Sequence, residues 1–315
     1  MSNTMLPQHL QLDSTSSSSN PYLIDQLQFM QHQETSPHYQ ISNTNNARND
    51  NDSSYLPSWA TVTSADRRTM TAWSYDIVDA CSIPREIAVI GSAYFDRFLS
   101  SPSPRAKAAL VSRREFQLAF ITCLIVALKC RAGMQVDSDF VSDTICQKLY
   151  GEGEIIDMEG AILKGLEWRL NGPSAHEFMG GLLELLPPGV VTKANGSLPE
   201  KLKAAAAKRV ETCVLDYKLA RRPPSLLAYA ALLTAMQDVG ASAFHPMDRL
   251  AWMRNISLVT GMKANDLSCR VLRDRMDEAT RPVVVSANVV NSVPNGDDRD
   301  RVMMCTTSPD QPRGQ

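Results

Sequence analysis

Two stretches constrain this 315-residue chain more than any others: "FQLAFITCLIVALK" (116–129) and "LLAYAALLTAM" (226–236). Wound at about 100° per residue, each is apolar round nearly its whole circumference. A helix of that kind cannot lie on a surface; neighbours must cover every face. The longest apolar run, near 116 to 128, is too short to span a bilayer and carries Gln117 and Thr122. Each stretch therefore reads as the buried central rod of its own helical domain.

Amphipathic helices flank both rods. Before the first, one runs from about Asp66 to Cys81, with Met70, Trp73, Ile77, Val78 and Cys81 on one side. Ser82 and Pro84 start a second, which continues to Phe98 and stops at "SSPSP". Ser112 and Glu115 form an S-x-x-E capping box for the rod itself. A fourth helix starts near Asp137 with Phe140, Val141, Ile145 and Leu149, and a fifth follows from 153 to "NGP". The plan then repeats: Ser174 and Glu177 cap "FMGGLLELLPP", an alanine-rich helix follows, "RRPPS" launches the second rod, and two more helices complete the set. No strand-like alternation is sustained. The fold expected is all-α, two tandem five-helix domains over 58–172 and 173–280.

Outside that region the pattern is lost. Residues 1–57 are rich in Ser, Asn and Gln, with too few apolar groups to offset ordering entropy, and 281–315 are similar. Both are expected to be disordered tails. "PYLIDQLQFM" is a small exception that has the pattern of a short amphipathic helix for a partner.

The chemistry of catalysis is missing. No Gly-rich phosphate loop and no G-x-S-x-G occur, and "GEGE" at 151–154 lacks the lysine of a P-loop. Five histidines include none at zinc-site spacing, so no metal or other cofactor is expected. His176 and His245 read as surface residues. Seven cysteines, none in C-x-x-C, look like small buried hydrophobes of a reducing compartment. Cys130, between Lys129 and Arg131, is the one thiol whose pKa such neighbours would lower. A net charge of −2 argues weakly against nucleic acid. With no signal peptide apparent, the location expected is nucleus and/or cytoplasm. The chain reads as one that acts by binding, not as an enzyme.

Two charges lack partners in the sequence. Glu159 projects from the apolar stripe formed by Ile155, Met158, Ile162, Leu163, Leu166 and Leu170, and its neighbours at three and four positions are all aliphatic. Lys129 ends the first rod among Ile125, Val126, Ala132 and Gly133. An acid and a base on adjacent helices, bordered by aliphatics, suit a contact spot for another protein.

"REIAVIGSAYFDRFLS" resembles the cyclin helix ending Y-x-D-R-F-L, and "FQLAFITCLIVALKC" the cyclin helix ending A-x-K. "DMEGAILKGLEWRLNGPSAHEFM" is similar to the run that closes the first cyclin box, and "PPSLLAYAALLTAM" to the central helix of the second. The resemblance is strong over about 67–186 and weaker beyond. In detail it is most similar to the cyclins of diatoms.

The resemblance implies two cyclin boxes and the role of a regulatory subunit that binds and activates a cyclin-dependent Ser/Thr protein kinase in the cell cycle. It implies that Lys129 and Glu159 bind the kinase at its αC helix. It also implies that Arg67 pairs with Asp96 to fix the first helix, and that Met70, Trp73, Asp76 and Gln117 match a groove that docks kinase substrates or inhibitors. Departures are visible. Cys130 and Arg131 stand where many cyclins have an aromatic and acidic residues. Asp66 and Thr69 replace two apolar groove positions. The N-terminal tail has no R-x-x-L, and no L-x-C-x-E occurs, so neither mitotic proteolysis nor a D-type assignment is supported. Ser36, Ser101, Ser103 and Ser308 precede prolines and are candidate phosphorylation sites, though such dipeptides are common. The rival reading is a scaffold of the transcription-factor-IIB type, which uses the same two boxes on DNA and polymerase. It would want a basic face and often an N-terminal zinc ribbon, and neither is visible; "KLKAAAAKR" and "ARRPP" are short basic patches on the second box that read as solvated faces.

Overall fold

The computed structural model describes residues 21–41, 56–136, 141–187, 190 and 197–280. All of the secondary structure among them is helical. The first box holds α2 (Ser64–Ala80), α3 (Glu86–Leu99), α4 (Pro104–Val111), α5 (Arg113–Arg131), a single π-helical turn (Val141–Ile145) and α6 (Glu152–Gly165). The second holds α7 (Ala175–Glu184), α8 (Ser197–Val214), a short α9 (Tyr217–Ala220), α10 (Pro224–Ala243), α11 (Pro246–Thr260) and α12 (Leu267–Thr280). The expected all-α, two-box architecture is what the chain adopts. None of the described helices is long and apolar enough to cross a membrane.

The rods behave as their composition dictates. Twelve residues of α5, from Phe116 to Leu128, are buried. Phe95 of α3 meets Phe116 and Phe120 edge-on, with ring centroids 4.8 and 4.9 Å apart. Helix α3 can come this close because residue 91 is glycine: a Cβ there would stand 3.1 Å from the Leu124 Cα. In the second box α10 is the rod. Tyr229 on it lies against Trp252, whose buried indole donates to the Leu182 carbonyl at 2.8 Å. Burying each large apolar side chain of this kind is worth about 1.5–3 kcal/mol.

The elements depart from expectation where capping or tertiary contact overrides periodicity. Helix α2 starts two residues before Asp66, because Thr63 and Asp66 form a reciprocal capping box. Ser112 caps α5, but the Glu115 carboxylate meets Arg105 instead of closing the box. Helix α4 fills what reads as a loop, started by Pro104 in its first turn. The fourth element is one π turn over its described part; Val141 is buried, Leu149 is exposed, and Phe140 lies outside the described residues. "GEGE" opens α6, with Gly151 donating to Glu154 at 3.0 Å. That helix stops at Gly165, and Glu167 and Trp168 take left-handed conformations. The alanine-rich helix breaks at Leu215–Asp216, where Asp216 caps α9.

The largest difference is at the N-terminus. Residues 21–35 form a helix, α1, although disorder was expected over 1–57. Leu23, Leu27 and Met30 are buried against α7 and α11 of the second box. The partner for "PYLIDQLQFM" is this chain itself. Gly181 makes room, since a Cβ there would lie 2.8 Å from Leu27 Cδ2. Glu34 then accepts from the backbone amide and hydroxyl of Ser225 at the start of α10, where a helix dipole favours negative charge. Residues 36–41 continue past α1, with the Tyr39 ring under the Arg97 guanidinium, and Leu56 is buried; residues 1–20, 42–55 and 281–315 lie outside the described residues.

Candidate functional site: a charged pair on the first box

Lys129 lies in the last turn of α5 and Glu159 sits mid-way along α6, and the two helices pack side by side. Lys129 Nζ lies 2.9 and 2.8 Å from the two carboxylate oxygens of Glu159. The expectation that both lack a partner in this chain is corrected: each satisfies the other. They are not sealed in, being 35% and 22% exposed. A half-exposed pair of this kind contributes only about 0–1 kcal/mol to folding.

The aliphatic surroundings divide cleanly. Phe95, Leu124, Leu128 and Ile162 are core. Leu163 is half-buried, and Ile156, three residues before Glu159, is exposed. Arg131, which stands where many cyclins have an acidic residue, turns to Glu177 at the start of α7. The Cys130 thiol is pushed up, first by burial and then by the Glu159 charge, and not down as its basic neighbours suggest. Those cations act against the shift and are outweighed.

Arg67 and Asp96 form a second pair of a different kind. Nε and Nη2 of Arg67 donate to the two Asp96 oxygens at 2.7 and 2.6 Å. Both side chains are essentially inaccessible. The remaining nitrogen, Nη1, donates to the Val214 carbonyl at 2.7 Å, and the guanidinium lies over the Tyr217 ring. Arg67 therefore ties α2 to α3 and both to the second box, a link that has no sequence signal.

The expected groove residues do not form one exposed surface. Met70 is core, because its side of α2 faces the box interior. Trp73 is half-buried against the core, and Asp76 is exposed. Gln117 is half-buried, and its amide oxygen accepts from the Tyr150 hydroxyl at 3.1 Å. His245 is exposed and caps α11 through its ring nitrogen, while His176 is half-buried with its pKa lowered chiefly by burial. Of the described cysteines, Cys123, Cys146, Cys213 and Cys269 are buried and Cys81 and Cys130 exposed. Among the described residues no cluster of His, Cys, Asp and Glu could hold a metal.

This arrangement of two boxes matches known proteins. The family model for the cyclin N-terminal domain matches residues 26–171, and that for the cyclin C-terminal domain matches 190–273. The chain belongs to the cyclin family, whose fold is regulatory and not enzymatic. It is 25% identical over 236 residues to the human G1/S-specific cyclin-D3, covering 72% of each chain. It is 28% identical over 171 residues to Cyclin-B2-2 of Arabidopsis thaliana, covering 54% of this chain and 35% of that one. Among solved structures, a viral cyclin from herpesvirus saimiri superposes with a TM-score of 0.54 at 18% identity, over 69% of this chain and 87% of that one, a likeness of fold.

Proposed function

We propose that this chain binds a cyclin-dependent Ser/Thr protein kinase and activates it by holding the kinase αC helix in its active orientation. A protein kinase needs a β3 lysine paired with an αC glutamate before ATP is held correctly. A rigid helical platform with higher affinity for the active position of αC shifts the kinase towards it. Such an interface buries roughly 2,000 Å² or more.

The observation that carries this reading is the Lys129–Glu159 pair: opposite charges at the surface of the first box, on the two helices where cyclins contact kinases, with exposed Ile156 alongside. In a complex the two charges would exchange their mutual bonds for bonds to the kinase. Residence in the nucleus and/or cytoplasm, a role in the cell cycle and affinity with the diatom cyclins belong to the same proposal. The docking groove is a weaker part of it, confined to Trp73, Asp76 and Gln117 once Met70 is in the core.

The transcription-scaffold alternative gains nothing from the geometry. Within "KLKAAAAKR", Lys201, Lys203 and Lys208 are exposed as a short solvated face, and Arg209 is bound to Asp238. The test is reconstitution with a purified kinase catalytic subunit of this class: the chain should form a complex and raise phosphorylation of a protein substrate. Lys129→Ala and Glu159→Ala should lose most of that activation. Salt-sensitive DNA binding without kinase binding would favour the scaffold instead.

A further inference from the structure

We propose that this chain pairs with a second copy of itself, α1 of each copy lying on α11 of the other. Both helices are anchored on the second box by one side. On α1 the buried residues are Leu23, Leu27 and Met30, and on α11 they are Trp252 and Ile256. The opposite side of each helix carries a second row of large apolar groups left in water. On α1 these are Tyr22 and Phe29, and on α11 Met247, Leu250 and Leu258, all more than half exposed. Rows of this kind mark surfaces that another molecule covers. Aromatic residues, Met and Arg are the types enriched there.

One charge interrupts each row, and the two are opposite in sign. Asp25 stands between Tyr22 and Phe29, and Arg254 between Leu250 and Leu258. Both are exposed, and among the described residues neither has an ion-pair partner. No residue three or four positions from either one carries a charge. The spacings also agree. At 1.5 Å per residue, the aromatic groups lie about 4.5 and 6 Å along the axis from Asp25, and the leucines about 6 Å to either side of Arg254. When the two charges meet, leucines therefore fall against aromatic rings whichever way the helices run. Like does not fit like: α11 on α11 would bring the two Arg254 side chains together, and α1 on α1 the two Asp25 side chains. A foreign partner would have to supply a matching row, whereas a second copy already has both. Gln28 and Gln31 of α1 donate to the Val259 and Thr260 carbonyls of α11, each at 3.2 Å, which ties the two helices into one body. A twofold axis that lays α1 on the α11 of the other copy then repeats the contact in reverse, giving a closed dimer. Lys129 and Glu159 have no part in it, so nothing here rests on kinase binding.

The test is sedimentation velocity on the full chain over a range of about 1–200 µM, with far-UV circular dichroism as the check on folding. The expected result is a monomer–dimer equilibrium with a Kd of about 1–100 µM, as a small interface gives. Asp25→Arg and Arg254→Asp should each weaken self-association at least about tenfold, because both contacts of the dimer then bring like charges together. A mixture of these two variants should dimerise as the parent does, since each offers the charge that the other lacks. Phe29→Gln and Leu258→Gln, at exposed positions, should also weaken the dimer with the circular dichroism unchanged. A chain that stays monomeric over the whole range would overturn the proposal. So would assemblies larger than a dimer, self-association unmoved by the charge reversals, or a mixture of the two charge variants that stays monomeric. If a charge variant fails to fold, the concentration dependence of the parent and the two glutamine variants still decide.

Discussion

The two ion pairs of the first box carry charge under opposite conditions. Arg67–Asp96 is sealed from water, so removing one partner leaves the other buried and uncompensated. Asp96→Ala should cost about 3–5 kcal/mol. At about 2–4 °C per kcal/mol for an ordered region of this size, calorimetry should show the melting temperature falling by roughly 10 °C. An unchanged melting curve would mean that the pair does not hold α2 in place. Lys129–Glu159 lies partly in water, so Lys129→Ala should move the melting temperature by no more than about 4 °C. Both pairs were visible in the sequence only as charges without local partners, or as matches to a family pattern. That Lys129 and Glu159 face each other depends on the rotation of α6 against α5, which no local spacing encodes. The Val214 carbonyl that completes Arg67 lies 147 residues away and has no signature at all.

At the scale of elements, α1 shows how an isolated apolar pattern can be misjudged. Leu23, Leu27 and Met30 are too few to support a helix in water, and a Ser- and Asn-rich setting argues against one. What stabilises α1 is a groove over α7 left open by Gly181, about 150 residues further along. Leu27→Ala should weaken this docking by about 2–5 kcal/mol, so hydrogen exchange should speed up over 21–35 while α5 stays protected. Loss of protection in both together would show that α1 is integral to the core.

Glu34 adds a pH dependence. Burial raises its pKa, outweighing the Ser225 bonds that lower it. A carboxyl with a raised folded pKa adds stability below its unfolded pKa and loses it as pH rises through the folded value. Glu34→Gln, which cannot ionise, should therefore gain melting temperature relative to the parent between about pH 4 and pH 7. A constant difference over that range would contradict the sign.

Across the whole molecule, the two boxes are joined by more than their linker. Ser174 donates to Glu86 at 2.7 Å, Arg131 meets Glu177, and Tyr75 donates to the Glu211 carbonyl at 2.8 Å. With Arg67 reaching Val214, these links should make residues 56–280 melt in one calorimetric transition, and two separated transitions would show independent boxes. The two rods made this architecture legible in sequence, because an apolar helix has few alternatives to a central position. The lock between boxes was not legible, since two of its links end on backbone carbonyls that any residue could supply and the other two join side chains far apart in sequence.

The claim that this chain activates a kinase through the Lys129–Glu159 surface is tested most directly by swapping the two charges. Lys129→Glu with Glu159→Lys keeps the internal pair, and so should keep the melting temperature, but reverses what a kinase meets. Activation of a purified cyclin-dependent kinase should fall at least about tenfold for the swap relative to the parent chain. Full activation by a swapped chain that folds normally would show that the kinase does not bind there.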